Sequence, residues 1–265
     1  MISSDAEPSH AFSDMLELTR NLEWKRAVEL KAPTYTGCRI IDMKVLPSLN
    51  ILVADKRYKT LMVFDVQTDH LLSYIRLPDK PLRLCLLPGD RAAVLLHQLS
   101  IVQILDVKSD QLKLQDRVNV EGRCCGLAYI NSKFVVGLKD PQCVALINIA
   151  GMKLKSVSKD NKGKQCFLCP HYICVETEQD APSIYVSDSV TDKITRLSEE
   201  LEVLQTFAPP WDYGPFFQAS SGREQLLVVE KANTVLWVLQ PCKELEDAFM
   251  GILDERPYYT GHVAF

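Results

Sequence analysis

At 265 residues, 47% of them hydrophobic and 24% charged, the chain carries enough apolar mass for a sizeable core and is globular rather than disordered in composition. Its net charge of −4 supplies no overall attraction to phosphate backbones or anionic lipid, so neither DNA nor a membrane is expected as a partner. Nine cysteines, an odd number scattered mostly in apolar runs, read as buried reduced thiols rather than a disulfide frame. Met1 is followed by no basic-then-apolar leader, and the cytoplasm is the expected compartment.

Residues 1–24 read as an N-terminal leader, partly flexible or a short helix, with helical periodicity over Phe12–Trp24. From residue 25 the pattern changes to short runs rich in Val, Ile, Leu and Tyr, bounded by turn formers. Over 36–78 these runs are Arg39–Val45, Leu49–Ala54, Leu61–Phe64 and Leu71–Leu77, parted by Pro47-Ser48, Asp55–Thr60 and Thr68–His70. The same order returns downstream. Leu49–Asp55 followed by Leu61–Asp65 is echoed by Ser183–Asp188 with Ile194–Ser198, and by Gln225–Glu230 with Val235–Leu239. Weaker copies are Ala92–His97 with Ser100–Asp106, and Lys133–Leu138 with Cys143–Asn148. Positions 55, 97, 138, 188 and 230 are then equivalent, and recur at roughly 40 to 50 residues, the period of a four-stranded propeller blade.

The expected fold is an all-β propeller, with residues 25–265 as one domain. Its five recognisable blades cover about 36–78, 81–120, 123–158, 166–208 and 214–254, and an incomplete sixth draws on 25–32 and 257–265. A blade lacking a strand suggests a truncated chain. Helical periodicity recurs only over Lys243–Met250.

The stretches Leu46–Asp65, Gly122–Tyr129 and Ser183–Asp188 resemble NHL-repeat propellers, and in particular the C-terminal propeller of tripartite-motif and B-box proteins. The resemblance implies the target-recognition part of a tripartite-motif-like ubiquitin-ligase system. In that family, ligase activity belongs to RING, B-box and coiled-coil segments. Here the first cysteine is Cys38, no zinc pattern precedes the propeller, and ligase activity does not carry over.

Four features bear on chemistry. Cys166, Cys169, His171 and Cys174 offer zinc-ligand types within nine residues, but without a second distant pair the packed-thiol reading is preferred and no cofactor is expected. Asp55, Asp188 and Glu230 recur at one repeat position, as turn-capping carboxylates should. No GxSxG, HExxH or phosphate-cradling glycine loop occurs, so the chain is expected not to be an enzyme. The loops joining second to third strands would share one face carrying Lys56, Arg57, Tyr58, Lys59, His97, Lys139, Lys193 and Lys231. Their charge is near neutral, which favours a protein partner. Single-stranded RNA, held by the basic patch at Lys56–Lys59, is the alternative, and a calcium-dependent hydrolase the third reading.

Overall fold

Runs of four to nine residues parted by turn formers are too short for stable helices and the right length for strands. The computed structural model describes residues 39–207 except 66, 69, 109, 110 and 177–180, together with the strand backbones of 215–220, 226–230, 235–239 and 249–252. Twenty strands form five four-stranded antiparallel sheets among these residues, each built from consecutive strands. The first sheet holds β1 (Ile40–Val45), β2 (Ile51–Asp55), β3 (Thr60–Phe64) and β4 (Leu71–Arg76). The second holds β5 (Pro81–Leu87), β6 (Arg91–Leu96), β7 (Ile101–Lys108) and β8 (Gln111–Asn119). The third holds β9 (Arg123–Ile130), β10 (Lys133–Asp140), β11 (Gln142–Asn148) and β12 (Lys153–Val157). The fourth holds β13 (Pro170–Glu176), β14 (Ser183–Asp188), β15 (Lys193–Ser198) and β16 (Val203–Phe207). In the fifth, β17 (Pro215–Ser220), β18 (Leu226–Glu230), β19 (Val235–Leu239) and β20 (Phe249–Ile252) are described by their backbone.

The first strand of each sheet touches the first strand of the next, β1 on β5, β5 on β9, β9 on β13 and β13 on β17. In the first four sheets the last strand instead alternates exposed and covered residues, as in β4 and β16, or is exposed nearly throughout, as in β12. The sheets are therefore blades around an axis, inner strand first: a β-propeller. In the first four sheets the middle strands are covered on both faces. Every residue of β3 is buried, which explains runs such as Thr60–Phe64 that do not alternate.

The core consists of layers between neighbouring blades. Leu61, Leu84, Val94 and Leu105 belong to the first layer, Leu95, Leu127, Phe134 and Leu138 to the second, and Ile130, Val135, Phe167 and Ile184 to the third. Each such side chain contributes about 1.5–3 kcal/mol on burial. One layer needs glycine. A Cβ at Gly137 would stand 2.0 Å from the Pro170 carbonyl oxygen, and one at Gly126 would stand 2.6 Å from it. Only bare backbone lets blades three and four close there.

One expectation is corrected here. The helical periodicity over Lys243–Met250 does not extend to its end, because Phe249 and Met250 lie in β20 and pair with Val238 and Trp237. An open edge on β19 offers a ladder that a weak local preference does not outweigh. The leader 1–24 and the sixth-blade segments 25–32 and 257–265 lie outside the described residues.

A recurring irregularity prepares the site. The inner strand slips register near its start in every blade, between Ile40 and Asp42, Pro81 and Arg83, Pro170 and Tyr172, and Pro215 and Phe217. In blade three the slip is opposite Leu138 and Asp140. A bulge re-aims the side chains around it and so alters what each blade presents near the axis.

Candidate functional site at the axial face

The register places the start of each inner strand beside the end of its second strand: Ile40 opposite Asp55, Pro81 opposite Leu96, Arg123 opposite Asp140, and Pro170 opposite Asp188. The turns after Asp55, Leu96, Asp140 and Asp188 thus share one end of the blades, called here the axial face.

Buried carboxylates fasten this face. Asp55 accepts from the backbone N–H of Arg57 (2.6 Å), Tyr58 (3.0 Å) and Arg39 (3.2 Å), tying its turn to the segment entering β1. Asp188 accepts from Val190 (3.0 Å) and Thr191 (2.9 Å) in its own turn, and from Leu168 and Cys169 (2.7 Å each) before β13. The turn-capping role read from the repeat is what these two carboxylates perform. The Glu230 side chain lies outside the described residues.

Within this frame the centre is cationic. Arg83, 4% exposed, reaches from β5 past β9 to the start of β13. Its Nε donates to the His171 carbonyl (3.0 Å), Nη1 to the Leu82 carbonyl (2.6 Å), and Nη2 stands 2.8 Å from His171 Nδ1. A guanidinium only donates, so Nδ1 accepts and the ring proton sits on Nε2. The guanidinium also stacks 3.9 Å above the ring of Tyr172. Burial, then the charges of Arg83, Lys56, His97 and Lys139, push His171 down to about 3, so its ring is neutral at neutral pH. Burial lowers Lys56 as well, helped by Arg39, Arg83 and Lys80. Cations from three blades therefore crowd together around a neutral imidazole.

Of the residues singled out from sequence, Lys56, His97 and Lys139 lie near enough to this centre for their charges to act on His171. His97 Nδ1 donates to the Cys124 carbonyl at 2.7 Å, fixing its ring to blade three. Arg57 lies 5.8 Å over the Tyr58 ring in the β2–β3 turn, and Lys59 gives its carbonyl to the Leu77 N–H (2.7 Å). Lys193 opens β15 opposite Asp188, and Lys231 lies outside the described residues. Cys166, Cys169, His171 and Cys174 do not assemble into a group that could hold an ion among the described residues. Instead His171 turns to Arg83, and Cys169 meets Cys125 of β9. The Cys125 thiol faces that sulfur and the Pro170 carbonyl (3.2 Å), which holds it protonated, while the hydrogen bond it offers lowers Cys169 to about 6 against the opposing effect of burial. Sequence reading missed Arg83, Lys80 and Tyr172. Arg83 looks there like a solvent-facing break in Leu82–Leu87, and its partner is 88 residues away.

No protein-family model matches the sequence, and no curated protein matches it either. Solved structures do. Virginiamycin B lyase from Staphylococcus aureus superposes with a TM-score of 0.63 at 12% identity, covering 83% of this chain and 72% of the lyase. A structure of the mitotic checkpoint complex gives 0.60 at 10% identity over 78% of this chain and 64% of its own. BBS1N in complex with ARL6DN gives 0.55 at 16%, over 76% and 64%. The chain has the propeller fold. At these identities the likeness extends to the fold alone, and nothing in it singles out the NHL type or tripartite-motif proteins.

The expectation that the chain is not an enzyme is overturned by the lyase, an enzyme on this same fold. That expectation rested on the lack of short catalytic motifs. A propeller composes its centre from separate blades, as Arg83 and His171 do here, so no short motif need announce a site.

Proposed function

We propose that this propeller is a protein-recognition module of the NHL type, the target-binding part of a tripartite-motif-like system, engaging its partner through the axial face. The observation that carries the reading is the composition of the turns on that face. Leu99 and Val190 are exposed in turns of that face by 47% and 56%, on the same end of the blades as Lys56 and Lys139. Apolar anchors bordered by charge are what a protein interface uses. Structures sharing the fold include protein complexes, which supports polypeptide partners in general. The RNA alternative asks for a line of stacking aromatics. Tyr58, half-buried, is the aromatic side chain in the described turns of this face.

The test is affinity capture with the intact chain, beside a Leu99→Asp/Val190→Asp variant and a control, Leu154→Asp/Leu204→Asp, altered on outer strands. Loss of the same polypeptides from the axial variant alone supports the reading. Equal capture by all three proteins discards the face.

A further inference from the structure

We propose that the centre of the axial face is an oxyanion seat, formed by Arg83, His171, Lys56 and Lys139, that takes the carboxylate of an acidic side chain from a polypeptide partner. The source of the carboxylate rests on the protein-recognition function proposed for this face; the seat itself rests on the burial of Arg83 and the lack of a counter-charge beside it.

Arg83 is buried at 4% exposure, and each atom it bonds, the carbonyls of His171 and Leu82 and the His171 Nδ1, is neutral. No carboxylate pairs with it among the described residues. A buried cation with no counter-charge is costly, and stacking on Tyr172 offsets only part of that cost. The neighbouring carboxylates are turned elsewhere. Asp42 accepts from the Met43 and Leu84 N–H groups (2.8 Å each) and lies 3.9 Å from Lys44, and Asp79 accepts from Gln98 N–H (3.0 Å). Asp55 and Asp188 are saturated by the backbone bonds already described.

Beyond these three contacts the guanidinium shares a hydrogen bond with the Tyr172 side chain, another neutral partner, so its hydrogen bonds bring it no counter-charge. Lys56, half-buried, and Lys139, exposed, likewise pair with no carboxylate among the described residues. Positive charge therefore runs from the interior at Arg83 outward to solvent at Lys139. Their charges act on one another and on His171, and an arriving anion relieves that repulsion as well as gaining its own contacts. Arg83, Lys56, His97 and Lys139 all act on the one imidazole of His171, which suits a single carboxylate more than a polynucleotide backbone.

The experiment uses the full chain and fluorescence anisotropy. The probes are a labelled peptide rich in Asp and Glu, its Asn/Gln counterpart, and an oligouridine of about ten nucleotides, the size of one single-strand site. Free succinate and inorganic phosphate serve as competitors. The acidic peptide is expected to bind and the Asn/Gln peptide not to. Lys56→Ala/Lys139→Ala, altered away from the core and checked by its melting temperature, is expected to weaken binding about tenfold or more. Arg83→Met should abolish it. If Arg83→Met fails to fold, the lysine variant decides alone. Equal binding of acidic and neutral peptides, undiminished binding by the lysine variant, or binding of oligouridine alone overturns the proposal. Succinate or phosphate binding without any peptide binding assigns the seat to a free anion and overturns the polypeptide source. If partners are captured through Leu99 and Val190 while the acidic peptide fails, the seat falls and the protein-recognition reading stands. If the peptide binds but capture is indifferent to those two residues, the reverse holds.

Discussion

Blades one and four fasten their axial turns with a carboxylate on the second strand, whereas blade two fastens its turn from the opposite side. Asp55 and Asp188 sit at the ends of β2 and β14 and reach back to N–H groups preceding the inner strand, at Arg39 and at Leu168 and Cys169. In blade two the position opposite the inner strand's start is Leu96, and the carboxylate is Asp79, which precedes the inner strand and reaches forward to Gln98 N–H in the turn. The tie is the same, with acceptor and donor exchanged between segments. What recurs from blade to blade is a mechanical task, and the residue performing it is free to change strands. This is why the second copy of the repeat looks weak in the sequence although its blade is as well formed as the first.

Removing the ties in order of how many groups they satisfy tests whether they are equivalent. Asp188→Ala leaves four backbone N–H groups without their acceptor and should cost about 3–4 kcal/mol in chemical denaturation. Asp55→Ala orphans three and should cost about 2–3 kcal/mol by the same measurement. Asp79→Ala loses one and should cost about 1 kcal/mol, a fall in Tm of roughly 2–4 °C. A loss from Asp79→Ala as large as that from Asp188→Ala would show that the ties are not interchangeable.

The smallest effect at neutral pH is expected where the blades meet around His171. This ring resists protonation in the folded state down to about 3, whereas the unfolded chain takes up the proton near 6.5. Between those values the unfolded state binds more protons, so stability is fully present above about 6.5 and drains away as the pH falls towards 3. His171→Asn keeps an acceptor for Arg83 and removes the titration. Its stability, measured at pH 7 and again at pH 4.5, should fall less than that of the unaltered chain. Parallel pH curves for the two proteins would remove His171 from the account.

Much of the architecture is legible from residue order. Leu61–Phe64 and Ile194–Leu197 read as strands within a residue of β3 and β15, the first as an apolar run that a strand covered on both faces requires, the second by apolar residues at its two ends bounded by turn formers. The capping roles of Asp55 and Asp188 follow from their recurrence. The centre is far less legible. Lys56, His97 and Lys139 can be placed on one face by counting strands, but their convergence on His171 depends on the blades' placement about the axis. Cys166, Cys169, His171 and Cys174 are close in sequence, yet a bulge at the start of β13 sends His171 towards Arg83, and Cys169 meets Cys125 on another blade. A contact spanning 88 residues leaves no local mark.

The outer strands carry a consequence for self-association. Each ends its sheet among the described residues, and an edge strand invites pairing by a neighbouring molecule. β8 and β12 guard that rim with Lys113, Arg117, Lys153 and Lys155, so two copies approaching through either would bring ammonium and guanidinium groups face to face. β16 has no charged residue, and β4 has only Arg76 at its end, while Leu204, Leu72 and Tyr74 project outward from them. Should this protein form filaments or precipitate under stress, the first strand-to-strand contact belongs at blades one and four, and a lysine introduced at Tyr74 or Leu204 is the economical way to prevent it.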